Sequence, residues 1–145
     1  MKGFLITNKY LSLLAAFLAV VANVIIAHFF VPIGIILSPI IIVAAVAFIS
    51  INKISSNALL QTVLTFVLVA VNDIGIKLYA GGLHDSEGQG VINLLFIGNM
   101  ILCFIILLIF LIRNRVSLVK NIASIAIFVL LAFMHLHFFG DLGLE

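Results

Sequence analysis

The 145-residue chain is 66 % hydrophobic and 8 % charged, with a mean hydropathy of +1.46 and a formal net charge of +2. A soluble domain is about half apolar and about a quarter charged, and one this small leaves most of its area in contact with solvent. The composition therefore excludes a soluble globular fold, a disordered chain and a nucleic-acid-binding protein, and makes lipid the solvent for most residues.

A bilayer core takes about 20 apolar residues of helix, within a range of about 17–25. The first such run is 10–30 and the second 33–51, with only Val31-Pro32 between them. A single helix over both would be about 63 Å long, twice the hydrocarbon thickness, and Pro32 disfavours helix at Val31. The pattern predicts a tight hairpin with its turn at about 28–34 and Pro39 inside the second helix. The polar break Asn52-Lys53-Ile54-Ser55-Ser56-Asn57 ends the pair. The third span, 58–80, is the least apolar and holds Gln61, Thr62, Thr65, Asn72, Asp73 and Lys77. Residues 81–90 (GGLHDSEGQG) read as a polar loop, mobile because glycines and charges offer little to bury. A fourth span, 91–112, leads to Arg113-Asn114-Arg115 and Lys120; the fifth, 121–139, leads to a short tail. The first span is too long for the apolar core of a signal peptide, and no small-residue cleavage pattern follows it. The predicted fold is all-α: a polytopic membrane protein, a compact bundle of five transmembrane helices forming one integral membrane domain over 1–145. The single cysteine, Cys103, forms no disulfide within the chain, and without Trp an interfacial belt falls to Tyr10, Tyr79 and the phenylalanines.

Basic residues mark the cytoplasmic side of a membrane protein. With five spans and a cytoplasmic N-terminus, Lys2, Lys9, Lys53, Arg113, Arg115 and Lys120 all fall on that side, and only Lys77 lies toward the other. This predicts a plasma (inner) membrane protein with an extracytoplasmic C-terminus. The same topology collects Asp85, Glu87, Asp141 and all four histidines at the outer face, with Asp73 in the outer half of span three.

Charged groups near mid-helix cost about 2.5–3.5 kcal/mol on insertion scales, so they face a bundle interior or a watery cavity. Asp73 and Lys77 are spaced i, i+4 with the acid first, which lets them pair on one face. Asp73 lies roughly 10 Å below the outer end of its span. The bland reading is an intrahelical ion pair with Lys77 snorkelling outward. At 100° per residue, Gln61, Thr65, Asn72 and Tyr79 fall within about 40° of one another, and Thr62 joins the Asp73/Lys77 side. Such a helix suits the centre of a bundle or the wall of a hydrated path. In span one, Ser12, Ala16, Ala19, Asn23 and Ala27 form a small-residue stripe that favours close packing, with Asn23 positioned to meet span three or Asn93 and Asn99 of span four. Gly34 and Ser38 read as a second small-residue packing pair. The candidate binding residues are Asp73, Asn72, Lys77, Gln61, Thr65, Tyr79, Asn23 and Asn99.

The outer His/acid group is a candidate metal site: His28, His84, His135, His137, Asp85, Glu87 and Asp141. His and carboxylate ligands suit a divalent transition metal, and a haem on two of the histidines fits less well. No ligand-spacing signature is present, and His135 and His137 point about 160° apart on a regular helix. Their convergence requires spans one, three and five to be neighbours at that face.

The segment 22–42 (ANVIIAHFFVPIGIILSPIII) resembles the first hairpin of small vitamin- and nucleobase-uptake membrane proteins, which also place Pro and Gly between an apolar helix and a Pro-containing one. Those proteins usually have six spans, and no site residue carries over; the resemblance implies solute binding. Three function classes follow. The first is binding and translocation of a small polar solute or cation through an outward-facing pocket. The second is a membrane-embedded metal-dependent enzyme. The third is a non-catalytic subunit, partnered by copies of itself or by another membrane protein.

Overall fold

The computed structural model describes residues 9–53, 57–80, 86–114 and 117–142. Its elements are α1 (Lys9–Phe29), α2 (Val31–Ile51), α3 (Ala58–Tyr79), α4 (Ser86–Arg113) and α5 (Leu118–Phe139). There are no strands among the described residues, and all five helices are long and apolar enough to cross a membrane. The predicted five-helix bundle is the observed fold.

Two boundaries differ from expectation. The hairpin turn is narrower than 28–34: the break is Phe30 alone, at φ −134° and ψ 68°, and α2 starts at Val31. Pro32 stands in the first turn of α2, where its missing N–H is one the helix leaves unpaired anyway. Gly34 then lets the two helices touch, because a Cβ there would lie 2.3 Å from Ala27 Cα. The second difference is at the start of α4. Residues 86–90, expected in a loop, are its first helical turn, and Gln89 is buried. Gln89 Nε2 donates to the carbonyls of Gly140 and Leu142, and Asn93 Nδ2, one turn on, donates to the Gly140 carbonyl at 3.0 Å. Polar side chains spaced i, i+4 thus hold this turn against the end of α5, so the segment has something to bury after all. Residues 81–85 of the expected loop lie outside the described residues.

Helix ends at the opposite side are closed by asparagines. Asn57 accepts from the Leu59 N–H at the start of α3. Asn52 and Asn114 donate to the carbonyls of Phe48 and Phe110 at the ends of α2 and α4.

α3 touches all four other helices. Half of its span is buried, against 17 % of α5's, so the least apolar helix is the central one. Large apolar side chains such as Ile36, Leu94, Val119 and Phe133 point outward. Polar residues inside and apolar ones outside is the arrangement a lipid solvent selects. Beneath the α1–α2 turn lies a small apolar cluster of Ala27, Ile35, Ile76, Ala80 and Ile92. Toward the other end is a larger one, including Val20, Ile42, Ile49, Leu68, Cys103 and Leu107. The end with the α1–α2 turn is called the turn end below; the opposite one, with Lys53 and Arg113, is the basic end.

Candidate functional site

Between the two apolar clusters lies a layer of polar side chains drawn from every helix. Asn72 of α3 is its hub. Asn23 Nδ2 of α1 donates to Asn72 Oδ1 at 2.8 Å, and Asn72 Nδ2 donates to Ser38 Oγ of α2 at 2.6 Å. Asn99 Nδ2 of α4 reaches the same Ser38 oxygen at 3.4 Å. Close backbones make this reach feasible: a Cβ on Gly75 would lie 2.6 Å from a Val24 methyl, which brings α1 against α3.

The adjacent residue, Asp73, faces α5. Its Oδ2 lies 2.7 Å from Lys77 Nζ and 2.7 Å from His135 Nε2. Lys77 Nζ also donates to the Phe139 carbonyl at 2.8 Å and lies 5.9 Å from the centroid of the Phe96 ring. The expectation that Lys77 snorkels outward is therefore corrected. Its side chain is fully buried because acceptors wait inside the bundle, on α3 itself and at the end of α5. The His135 ring is stacked on Phe96 at 4.5 Å and edge-on to Phe66. These aromatic walls fix the imidazole so that Nε2 points at the carboxylate. One carboxylate oxygen thus joins a lysine of its own helix to a histidine of α5.

The second carboxylate oxygen, Asp73 Oδ1, is buried and has no hydrogen-bond partner among the described residues; the same holds for Asn99 Oδ1. Both residues line a cavity of about 10 Å³, with Ser38, Asn72 and the apolar walls Ile35, Ile76, Ile92 and Phe96. That volume admits about one water molecule. Two buried acceptors without partners among the described residues, on side chains that line so small a space, call for a donor or a cation.

Of the candidate binding residues, Asp73, Asn72, Lys77, Asn23 and Asn99 come together here. Gln61 and Thr65 are buried but closer to the basic end, where Gln61 Nε2 donates to Ser50 Oγ at 3.2 Å. Gln61 is twelve residues from Asp73, about 18 Å along the helix. Tyr79 is 61 % exposed, and its carbonyl accepts from His28 Nδ1 at 2.6 Å.

The metal candidates are dispersed. His135 is buried and committed to Asp73, His28 to Tyr79, and His137 is exposed and stacked on Phe133 one turn before it. Glu87 and Asp141 are exposed. No three His, Cys, Asp or Glu side chains among the described residues are placed to share a metal. His84 and Asp85 lie outside the described residues.

Sequence reasoning missed two members of the layer. Ser38 was expected to serve close packing, yet it is the acceptor that joins three helices; its depth, equal to that of Asn23 and Asn72 below the turn, was the available signal. His135 was expected at the outer surface, and its depth, one turn inside α5, pointed inward.

No known protein family, curated protein or solved structure matches this chain, so the likeness of 22–42 to uptake proteins stands on its sequence pattern alone.

Proposed function

We propose that this membrane protein binds a small cation at Asp73, reached from the extracytoplasmic face, and passes it across the bilayer. The observation that carries the reading is Asp73 Oδ1: a carboxylate oxygen on a residue only 3 % exposed, without a partner among the described residues, where Asp73 and Asn99 both line a water-sized cavity. Oxygen donors alone suit a hard monovalent cation or a protonated one such as hydronium or ammonium. The cavity narrows the class from polar solutes in general to species of about one water's size. An entering cation competes with Lys77 and His135 for the same carboxylate, so binding loosens the link between α3 and α5.

Translocation is supported by the rest of the α3 stripe. Thr65 Oγ1 and Gln61 Oε1 are buried without partners among the described residues, continuing the polar face toward the basic end. Leu68 and Val69 interrupt it with apolar bulk. In this reading those two residues separate the outer site from the inner path.

The test is thermal unfolding of the purified protein in neutral detergent, with lithium, sodium, potassium or ammonium chloride compared with choline chloride at equal ionic strength. A ligand of the native state at 100 times its Kd adds about 2.7 kcal/mol. One of the small cations raises the melting temperature of the wild type and leaves that of Asp73→Asn unchanged. Equal stabilisation by choline, or an unaltered response in Asp73→Asn, ends the proposal. The orientation has its own test. A cysteine at Ser86 reacts with an impermeant thiol reagent on intact cells and one at Asn114 does not, with native Cys103 buried and silent. The reverse labelling would place the site on the cytoplasmic side.

A further inference from the structure

The basic end carries a second cavity. α2 and α4 pack together, and their C-terminal ends enclose an open groove of about 190 Å³. Ile51, Ile106, Ile109 and Phe110 form its apolar wall, and Lys53 and Arg113 stand at its polar end. Neither cation has an ion-pair partner among the described residues. The described acids lie elsewhere: Asp73 in the far half of α3, Glu87 in the first turn of α4 and Asp141 just after α5. An anion between Lys53 and Arg113 would neutralise both.

Two further features suit an anion there. The last turns of α2 and α4 would present negative dipole ends, but the Asn52 and Asn114 amides already donate to the Phe48 and Phe110 carbonyls. Lys53 also holds a left-handed backbone, φ 47°, just past the end of α2. That position usually goes to glycine, because a Cβ crowds the following carbonyl in a left-handed backbone. Keeping lysine in a strained turn at the mouth of an apolar groove is consistent with a use for its charge.

We propose that this groove binds an anionic phospholipid, the phosphate held between Lys53 and Arg113 and an acyl chain lying on Ile51, Ile106, Ile109 and Phe110. Basic pockets between transmembrane helices recognise lipid headgroups by this combination of charge and apolar wall. The groove shares no lining residue with the Asp73 cavity, so the lipid site stands or falls separately from cation binding.

The experiment is native mass spectrometry, paired with thermal unfolding, of the protein in neutral detergent. The probes are dioleoyl phosphatidylglycerol, dioleoyl phosphatidylcholine and inorganic phosphate. Phosphatidylglycerol is retained as a single adduct and raises the melting temperature; phosphatidylcholine binds at least tenfold more weakly, and phosphate alone does nothing at millimolar concentration. Lys53→Gln and Arg113→Gln each weaken phosphatidylglycerol about fivefold, and together about 25-fold. Lys53→Arg with Arg113→Lys preserves binding, which separates loss of charge from loss of fold. Lys120→Gln, at the same end but outside the groove, has no effect. Lys53→Gly relieves the turn yet loses lipid, so stability and binding move in opposite directions. Equal retention of phosphatidylcholine, stabilisation by phosphate alone, undiminished binding in the double Gln variant, or an equal loss in Lys120→Gln would each overturn the lipid site. So would a lipid-independent dimer broken by the double Gln variant, since the occupant would then be a second copy.

Discussion

The two halves of this bundle solve the same problem with different chemistry. Toward the basic end, helices meet through Val20, Ile42, Ile49, Leu68, Cys103 and Leu107, a set no more apolar than the lipid around it. In the turn-end half they meet through Asn23, Ser38, Asn72, Asp73, Asn99 and His135, all buried. In water the first group would supply most of the driving force, because burial removes apolar area from solvent. In lipid that gain vanishes, and the helices are held by packing and by hydrogen bonds between them. The apolar half therefore sets how closely helices lie. The polar half sets which helix faces which, since a misplaced Asp or Asn leaves an unpaired group in hydrocarbon. It is also the half in which Asp73 Oδ1, a carboxylate oxygen, lacks a partner among the described residues, and the cavity lined by Asp73 and Asn99 is where the order of the fold meets the proposed binding.

The sharpest way to test that contrast is to remove the acid. Asp73→Leu strands the buried Lys77 and His135 side chains without a carboxylate. Breaking a buried pair by deleting one partner costs about 3–5 kcal/mol. Reversible unfolding in mixed detergent micelles should show a loss of that size. Asp73→Leu with Lys77→Met should recover most of it, since no stranded charge remains. A mild Asp73→Leu phenotype would mean that Lys77 reaches the interface after all, and the polar half would lose its organising role.

Gly34→Ala tests the close approach that supports both halves. The added Cβ meets backbone atoms of Ala27, which cannot rotate away. Overpacking of this kind costs about 1–3 kcal/mol, and the upper part of the range is expected here. Gly98→Ala is the control: nothing lies within 4 Å of its Cβ, so it should be neutral or slightly stabilising. Comparable losses at the two positions would show that helix propensity, and not contact between α1 and α2, governs the effect.

In the apolar half, Leu107→Ala removes a fully buried side chain. In water such a change costs about 2–5 kcal/mol, part of it transfer to solvent. Lipid removes that part, so only the packing loss remains, about 2 kcal/mol. A loss above that of Asp73→Leu would reverse the ranking of the two halves.

Much of this was legible in the chain. Span lengths gave all five helices, and i, i+4 spacing gave the Asp73–Lys77 pair. The small-residue stripe of α1 put Asn23 against span three or four, and the structure pairs it with Asn72 of α3. Lateral neighbours were not legible. Periodicity fixes the depth and face of a residue on its own helix; it leaves open which other helix lies opposite. Hence Asp73 could be paired with Lys77 on its own helix but not with His135 on α5. The turn at 86–90 was misread for the same reason. Its glycines argue for a loop locally, while the carbonyls of Gly140 and Leu142 that hold Gln89 are more than 50 residues away in sequence.

The smallest expected effect asks whether the polar layer is one connected unit. Ser38 Oγ accepts from Asn72 at 2.6 Å and from Asn99 at 3.4 Å, so a single atom joins α2, α3 and α4. Interhelical hydrogen bonds in membranes are worth about 0.6 kcal/mol on average, with a ceiling near 1.7. Ser38→Ala should therefore cost about 1 kcal/mol, since the methyl side chain opens room for a water to take up the freed amides. The informative quantity is the coupling in a double-mutant cycle. Ser38→Ala against Asn72→Leu should show coupling near the ceiling, because that bond is short and buried. Ser38→Ala against Asn99→Leu should be additive within about 0.3 kcal/mol, because 3.4 Å is at the limit of a hydrogen bond. That would leave Asn99 held weakly by Ser38, with its Oδ1 available to a guest in the cavity. Strong coupling at Asn99 would instead mark it as a fixed structural member, and Asp73 Oδ1 would be left as the cavity's lone ligating oxygen among the described residues.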